Sequence, residues 1–171
     1  MKDLSEIKNR LVSPKDLFRA AAQELEKKIK IRDFYFLTPS PEGGGFVTEY
    51  STRGGRPFFT AGELKVLSQA GEKEMIFPQK EFKEEKYLLI KKSLLNKLRL
   101  KIWLYRVCAI MPVYAEGELA CLVLFRAGPG QEQLEKKMVK LKKINLEIGA
   151  ALSSVLLYNQ ALSRVIEAAE A

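Results

Sequence analysis

The sequence of 171 residues contains no histidine, and this absence removes a large part of enzyme chemistry. Neither a Ser-His-Asp triad nor a Cys-His pair can form within the chain. Sites that bind zinc, non-haem iron or haem through histidine are excluded, and so is a histidine that accepts a phosphoryl group. We therefore expect a non-enzymatic protein with no catalytic residue, no metal site and no cofactor.

Cysteines and long apolar stretches are also scarce. Two cysteines, Cys108 and Cys121, are too few for a disulfide-rich scaffold or a thiolate zinc site. The longest apolar run, Leu119 to Phe125, has seven residues, whereas a membrane span needs about 20. The first six residues mix charges and lack the apolar block of a secretion signal. These features predict a cytoplasmic protein with reduced thiols and no membrane span.

Positive charge is abundant: 29 basic residues stand against 21 acidic ones, which gives a net charge of +8. No acidic residue interrupts the stretch 86–115, which contains Lys86, Lys91, Lys92, Lys97, Arg99, Lys101 and Arg106. Three explanations are open, in decreasing weight: a solvated surface, attraction of an anionic small molecule, and binding to nucleic acid or a membrane surface. We do not expect nucleic acid as a partner, because no helix-turn-helix, arginine-rich tract or aromatic stacking motif accompanies the charge.

The amino-terminal part of the chain shows a helix start signal. Ser13 suits the N-cap, Pro14 the first helical position, and Asp16 supplies an acidic residue in the first turn. Apolar residues at helical spacing then predict a helix to about residue 31. A short helical extension is predicted before it, over residues 1–13.

Aromatic and β-branched runs between glycine and proline clusters predict strands in the next part of the chain. The expected strands are 33–38, 46–52 and a short edge strand at 75–78. The expected helices are 61–69 and a basic amphipathic helix from about 84 to 100.

The clearest strand signal is a hairpin over residues 106–125, with Glu116-Gly117 as a two-residue turn. This register predicts that Cys121 lies opposite Pro112. It also predicts one face with Val107, Ala109, Met111, Val113, Ala120, Leu122 and Leu124, and a second with Cys108, Ile110, Pro112, Tyr114, Leu119, Cys121, Val123 and Phe125. Both faces are apolar, so we expect cover on both sides of the sheet.

The same register separates the two cysteines. Four residues of strand, or roughly 13 Å, would lie between Cys108 and the partner of Cys121. This distance is too long for a disulfide, so two buried free thiols are favoured over a redox pair.

The closing segment, from Gln131 to about Ala169, has no proline and one glycine, which predicts a single long helix. About forty helical residues would span roughly 60 Å, more than the width of such a domain. A seven-residue repeat with two asparagines is typical of the seam of a parallel coiled-coil dimer. The expected seam residues are Leu141, Asn145, Ile148, Leu152, Val155, Asn159 and Leu162. The alternative is a helix packed only on its own sheet, with both asparagines solvated.

The order helix, strand, strand, helical insert, strand, strand, long helix resembles the GAF family of sensor domains. The resemblance is sharpest from Val107 to Phe125, where an apolar strand carries Pro112-Val113 and the turn carries Glu116-Gly117. A glycine normally stands in that family where Cys121 is found. PAS and roadblock-like families share the layout. The resemblance implies an α+β fold: an antiparallel sheet of about five or six strands, with the N- and C-terminal helices on one face and helices and loops over the other.

The resemblance also implies a regulatory function. It implies a sensor domain over 14–162 and a closing helix, 131–171, that continues as a coiled-coil linker. Such domains bind a small molecule, form homodimers and control an output module, which can be a histidine kinase, a diguanylate cyclase, an HD-type phosphohydrolase or a transcription activator. Two alternatives remain open: a thiol-dependent small-molecule reductase, and a pure dimerisation or protein-interaction scaffold.

The expected ligand-binding residues are Tyr50, Arg99, Trp103 and Arg106, chosen for aromatic or basic character near the segment that covers the second face of the sheet. Arg99 or Arg106 would hold a carboxylate or phosphate in a bidentate pair. Within the GAF family the lack of histidine argues against haem and bilin, so the expected ligand is an anionic or neutral organic molecule.

Overall fold

An antiparallel five-stranded sheet lies between two layers of helices in the computed structural model, which describes residues 13–69, 75–78, 92–126 and 131–171. The helices of this part are α1 (Pro14–Ile29), α2 (Ala61–Gln69), α3 (Lys92–Leu104), α4 (Gln131–Glu135) and α5 (Met138–Glu170). The strands are β1 (Asp33–Pro39), β2 (Gly45–Ser51), β3 (Phe58–Thr60), β4 (Val107–Ala115) and β5 (Glu118–Arg126). Their order in the sheet is β3-β2-β1-β5-β4.

The ends of α1 follow from its sequence. The Ser13 hydroxyl accepts a hydrogen bond from the Lys15 amide at 3.2 Å, which confirms serine as the N-cap. The helix ends at Ile29, two residues before the predicted end, because Lys30 adopts a left-handed conformation with φ 57°. The predicted extension over 1–13 lies outside the described residues, apart from Ser13.

Both faces of the sheet are covered, as the apolar hairpin predicts. On the first face α1 and α5 contribute Phe18, Leu25, Ile29, Leu141, Ile144, Ile148 and Leu152 to one buried cluster. On the second face α2 and α3 contribute Val66, Leu67, Leu95, Leu98 and Ile102 to another. Strand β1 feeds both clusters alternately, with Phe34 and Phe36 in the first and Tyr35 and Leu37 in the second. The α+β architecture expected from the sequence is therefore confirmed.

The predicted register of the β4–β5 hairpin is wrong over its middle, from Ala109–Phe125 to Val113–Cys121, and holds again at Val107–Arg126 after a second irregularity. Near the turn Ala115 pairs with Glu118 and Tyr114 with Leu119, as predicted, but a bulge at Ala120 then shifts the pairing by one residue. Cys121 consequently lies opposite Val113 rather than Pro112. A bulge adds one unpaired residue to one strand, and periodicity does not show where it falls.

The bulge also changes which side chains of β5 share a face. Cys121, Val123 and Phe125 join Ala109 and Met111 on the α1–α5 face, whereas the prediction separated them. Leu122 and Leu124 lie on the α2–α3 face with Ile110. A one-residue slip exchanges the two faces of a strand, and here both faces are apolar, so the exchange costs little burial.

In the middle of the chain the described helices follow the prediction, but the strands do not, because β3 (Phe58–Thr60) was not predicted. Helix α2 has the predicted bounds, and α3 continues four residues beyond the predicted end at 100. Instead of an edge strand, residues 75–78 form a single bridge, in which the amides of Ile76 and Ile110 each donate to the other carbonyl at 2.8 Å. This bridge lies at the free edge of β4, and residues 84–91 of the predicted amphipathic helix lie outside the described residues.

The closing segment is not one continuous helix. Helix α4 ends at Glu135, and α5 begins at Met138 after a turn in which the Lys137 amide donates to the Leu134 carbonyl at 3.0 Å. Leu134 and Leu141, on either side of this turn, are both buried in the first cluster. The sequence contains no proline or glycine at the break, so no helix stop signal marks it.

Gly149 brings α5 directly against the backbone of the hairpin. A Cβ at this position would lie 2.5 Å from the carbonyl oxygen of Tyr114, closer than carbon and oxygen can approach without a shift. Tyr114 is near the turn of the hairpin, so this contact fixes α5 relative to that end of the hairpin.

We expect Gly149→Ala to destabilise the protein by about 1–3 kcal/mol, because the added methyl group overpacks a backbone contact. Helix propensity alone would raise stability by about 1 kcal/mol. Urea unfolding checks this, with Ser154→Ala at an exposed position of the same helix as the control for propensity. A Gly149→Ala protein as stable as the parent would contradict the close contact.

Candidate functional site

The predicted ligand-binding residues do not come together. Tyr50 lies on the α1–α5 side of the sheet, where its ring contacts Phe36 with centroids 5.9 Å apart. The Arg19 guanidinium of α1 lies 5.9 Å from the same ring. Helix α3 covers the opposite face, so Tyr50 cannot share a site with Arg99 and Trp103.

Arg99, Trp103 and Arg106 lie on the outer side of α3 and the turn that follows it. The helix buries Leu95, Leu98 and Ile102, and the helical period therefore turns Arg99 and Trp103 towards solvent. Trp103 is 74% exposed. These residues do not form the expected basic pocket beneath α3, because the helix directs their side chains away from the sheet. Their charge and aromatic character suggested a site, but their positions on the helix do not support one.

A buried capping box lies on the second face of the sheet, at the start of α2. The Thr60 hydroxyl accepts from the Glu63 amide at 3.2 Å, and Glu63 Oε1 accepts from the Thr60 amide at 3.2 Å. The Thr60 hydroxyl also lies 3.0 Å from the same carboxylate oxygen. Two backbone amides at the helix start are thereby satisfied reciprocally.

Lys101 of α3 completes this cluster. Its Nζ donates to Glu63 Oε1 at 2.7 Å and to the Phe58 carbonyl at 2.8 Å, and it lies 4.7 Å from the centre of the Phe58 ring. We call Thr60, Glu63, Lys101 and the Phe58 carbonyl the Glu63 cluster. It joins β3, α2 and α3, so it fixes the helices that cover the second face.

The second oxygen of Glu63 has an unusual environment. The side chain is 2% exposed, and Oε2 has no hydrogen-bond partner among the described residues. A buried carboxylate oxygen without a donor is costly, and an N–H or ammonium group would satisfy it. The second oxygen of Glu63 therefore suits a hydrogen-bond donor better than an anion, which is one of the two ligand classes expected from the sequence.

Sequence reasoning missed the Glu63 cluster, although half of it carries a local signal. Thr60-Ala61-Gly62-Glu63 fits the capping-box pattern of Ser or Thr followed three residues later by Glu or Gln. The partner Lys101 is 38 residues further along the chain. Nothing local distinguishes it from the other lysines of α3.

Helix α5 is attached to the hairpin by polar and close contacts spaced four residues apart. The Asn145 side-chain amide donates to the Pro112 carbonyl at 2.8 Å, Gly149 meets the Tyr114 carbonyl, and the Ser153 hydroxyl contacts the Glu116 carboxylate. Residues at this spacing lie on one side of a helix. We call these three positions the hairpin contact of α5.

The first half of the expected dimer seam is used within the chain. Leu141, Ile148 and Leu152 are buried against the sheet, and Asn145 belongs to the hairpin contact. Those four positions are therefore corrected from a seam between two chains to the interface between α5 and its own sheet. Val155, Asn159 and Leu162 are half-buried. The heptad pattern is real, but the apolar positions of its first half, as far as Leu152, pack on the sheet.

Comparison with known proteins was made at the level of sequence and of structure. No family model matches the sequence, and no curated protein matches it. Among solved structures, the GAF domain/HD domain protein from Geobacter sulfurreducens is similar with a TM-score of 0.54 and 14% identity, over 91% of this chain and 99% of that one. The chain has a GAF-like fold.

Two further structures agree with this assignment. Residues 122 to 287 of a methyl-accepting chemotaxis protein are similar with a TM-score of 0.52 and 11% identity, over 91% of this chain and 97% of that one. A red/green cyanobacteriochrome in its red-light-absorbing state is similar with a TM-score of 0.53 and 11% identity, over 86% and 98% of the two chains. The resemblance seen in the sequence is thus confirmed as a likeness of fold.

Several other features of this GAF-like chain bear on its chemistry. Within the described residues, no group of three or more histidine, cysteine, aspartate or glutamate side chains is placed to hold a metal ion. In the same part of the chain, no helix combines the length and apolar character needed to cross a membrane.

Neither cysteine of the GAF-like sheet is in a disulfide, and the two differ in burial. Cys121 is fully buried, and burial raises the pKa of its thiol far above the ordinary range. Cys108 is half-buried, and its Sγ donates to the Phe125 carbonyl at 3.2 Å. A reactive cysteine needs an accessible thiolate, so Cys121 is unsuited to thiol chemistry.

We expect Lys101→Met to destabilise the GAF-like chain by about 2–3 kcal/mol, because it leaves the buried Glu63 carboxylate without its cation. The figure is at the low end for buried pairs because Lys101 is 27% exposed. Urea unfolding of Lys101→Met, Glu63→Gln and the double variant measures the coupling. Lys97→Met, at an exposed position of α3, is the matched control. Equal stability of Lys101→Met and Lys97→Met would contradict the cluster.

We expect the Cys108→Ser protein to show no reaction with an aromatic disulfide reagent until it is unfolded, because Cys121 is inaccessible and its pKa is raised. Absorbance of the released thiolate, with and without guanidinium, measures the reaction. Cys121→Ala is the companion variant, which reports Cys108 alone. Rapid native reaction of Cys108→Ser would show that Cys121 is accessible and would revive the thiol-dependent alternative.

Proposed function

We propose that this chain is the signal-input domain of a regulatory protein, which acts without catalysis and controls an output module through α5. The observation that carries the proposal is the double use of α5. One side of the helix holds the hairpin and the sheet, and the opposite side exposes apolar residues. Leu152 is the last residue of α5 in the buried cluster on the α1–α5 face of the sheet. From there the helix continues to Glu170, or about 27 Å at 1.5 Å per residue.

The GAF-like fold supports this proposal. The similar solved structures include part of a chemotaxis protein and a protein that combines a GAF domain with an HD domain. We propose that residues 14–162 form the sensor unit and that 131–171 form its outgoing helix. The controlled module would be of the kinase, cyclase, HD-type phosphohydrolase or transcription-activator class, in a cytoplasmic protein.

We propose that α5 pairs with the α5 of a second copy through an exposed stripe. The stripe repeats at intervals of seven and four residues and consists of Val139, Leu146, Ala150, Leu157, Ala161 and Ala168. All six positions are exposed. An eleven-residue repeat suits nearly straight or slightly right-handed helix pairs, in contrast to the heptads of a left-handed coiled coil. The three alanines allow the two backbones to approach closely.

The stripe replaces the seam expected from the heptad pattern. The two patterns lie on different sides of α5, since Leu141, Ile148 and Leu152 face the sheet and Leu146 and Leu157 do not. A helix that is apolar on two sides is typical of one that packs on its own domain and on a partner.

A path from the second sheet face to α5 runs through β4. Ile110 of this strand packs beneath α2 and α3, whereas the Pro112 carbonyl accepts from Asn145 of α5. A small molecule held beneath the Glu63 cluster would shift α2 and α3, and β4 would transmit that shift to the hairpin contact of α5. Such a shift of packed elements is a common way to switch a domain. The second oxygen of Glu63, which has no hydrogen-bond partner in the described part of the chain, favours a ligand with an N–H group.

The thiol-dependent reductase is disfavoured by the chemistry of the cysteines. Cys121 is inaccessible, and its raised pKa keeps the thiol protonated at neutral pH. Cys121 lies opposite Val113, which is five residues along β4 from Cys108. The two cysteines are therefore about 16 Å apart along the strand. The two thiols therefore do not form a redox pair in this fold.

We expect the protein to sediment as a dimer and Leu146→Asp to sediment as a monomer, because a carboxylate in the centre of an apolar seam is desolvated. Velocity sedimentation over a range of concentrations measures the change. Leu100→Asp, at an exposed leucine of α3, is the matched control and should remain dimeric. A dimer that survives Leu146→Asp would contradict pairing through the stripe.

A further inference from the structure

We propose that the end of α3 docks on an anionic lipid surface. The site is formed by Leu100, Trp103 and Leu104, which we call the α3 tip. It faces away from the sheet, and it is separate from the Glu63 cluster and from the stripe on α5.

The α3 tip exposes an unusual amount of apolar surface for adjacent side chains on one helix. The exposed fractions are 59% for Leu100, 74% for Trp103 and 60% for Leu104. A single exposed apolar residue is ordinary on a protein surface, but three adjacent ones are not. Trp103 is the only tryptophan of the chain. A cluster of a tryptophan with two leucines marks a surface for a lipid or a partner more often than a solvated one.

The three residues lie together on the face of α3 that packing leaves free. A helix turns about 100° per residue, so Leu100 lies opposite the buried stripe of Leu98 and Ile102. Trp103 and Leu104 flank Leu100 on its two sides. A helix with tryptophan and leucine on one face and basic residues beside them is typical of segments that lie in a membrane interface.

Basic side chains surround the tip, and the sequence from 92 to 115 has no acidic residue. Lys97 and Arg99 are exposed on either flank of the apolar face, and exposed Arg106 follows the helix. Lys101 is directed inward to Glu63 and does not contribute. An anionic lipid surface therefore complements both the apolar tip and the charges at its rim.

A second copy of the chain is a poorer occupant of this surface. A two-fold contact would place the same basic flanks near one another, and like charges oppose association. Side chains exposed to this degree project from the helix rather than line a groove, which suits a deformable lipid surface better than a peptide. The α3 tip and α5 lie on opposite faces of the sheet, so lipid docking and pairing of α5 do not compete.

The intrinsic fluorescence of Trp103 tests the proposal directly, because no other tryptophan contributes. Vesicles of phosphatidylcholine with phosphatidylglycerol should shift its emission to shorter wavelengths, and pure phosphatidylcholine vesicles should not. The shift should decrease with added salt. Leu100→Ser/Leu104→Ser should weaken binding at least about tenfold, because two apolar side chains no longer insert. Lys97→Glu should weaken it at least about fivefold.

Leu156→Ser is the matched control, since Leu156 is 45% exposed on α5 and belongs neither to the tip nor to the stripe. It should bind vesicles as the parent protein does. Circular dichroism confirms that each variant is folded. No emission shift with anionic vesicles, or a shift that Leu100→Ser/Leu104→Ser leaves unchanged, overturns the proposal. A shift with an acidic amphipathic peptide but not with vesicles also overturns it, in favour of a protein partner.

Discussion

The arrangement of the chain depends on one close approach between backbones, where Gly149 of α5 meets the carbonyl of Tyr114 in the β4–β5 hairpin. Because no side chain separates them, Asn145 and Ser153 one turn away on either side reach the hairpin at Pro112 and Glu116. This contact orients the helix about its axis: Leu141, Ile148 and Leu152 then face the sheet, and Leu146 and Leu157 face outward. The exposed stripe through which we propose pairing is a consequence of that orientation.

A sheet that is apolar on both faces requires cover on both, and the two covers are held differently. Helices α1 and α5 pack on the first face with large apolar side chains. The short helix α2 and helix α3 cover the second face, and the buried Glu63–Lys101 pair joins them to β3. The cost of desolvating a buried ion pair offsets much of the attraction between its charges, so such a pair adds little to stability. Its hydrogen-bond geometry nevertheless fixes the relative positions of the elements that it joins. We therefore regard the Glu63 cluster as the element that positions the second cover.

Local signals predicted the elements of this fold well, and long-range packing explains what they missed. The Ser13 cap, the four longer strands and the two-sided cover follow from residue type and spacing, whereas the three-residue strand β3 was not predicted. The bulge at Ala120 could not be predicted in this way, because both faces of the strand are apolar and exchanging them leaves the hydrophobic pattern of the sequence unchanged. The site residues were misplaced for a related reason: Arg99 and Trp103 were selected by chemistry, although the buried stripe through Leu98 and Ile102 already turns them outward. The heptad of α5 predicted an apolar face correctly, but not that the sheet would occupy its first half, as far as Leu152.

Engineered disulfides across the proposed seam test the central claim most directly. In the Cys108→Ser background, Ala150→Cys and Ala161→Cys each place one new thiol on the exposed stripe, and Leu156→Cys places one on another exposed side of α5. A parallel pair of helices brings each residue opposite its own copy, so the account predicts intermolecular disulfides at both alanine positions and none at position 156 under mild oxidation. No crosslink at either alanine, a crosslink at only one of them, or efficient crosslinking at position 156 would contradict it.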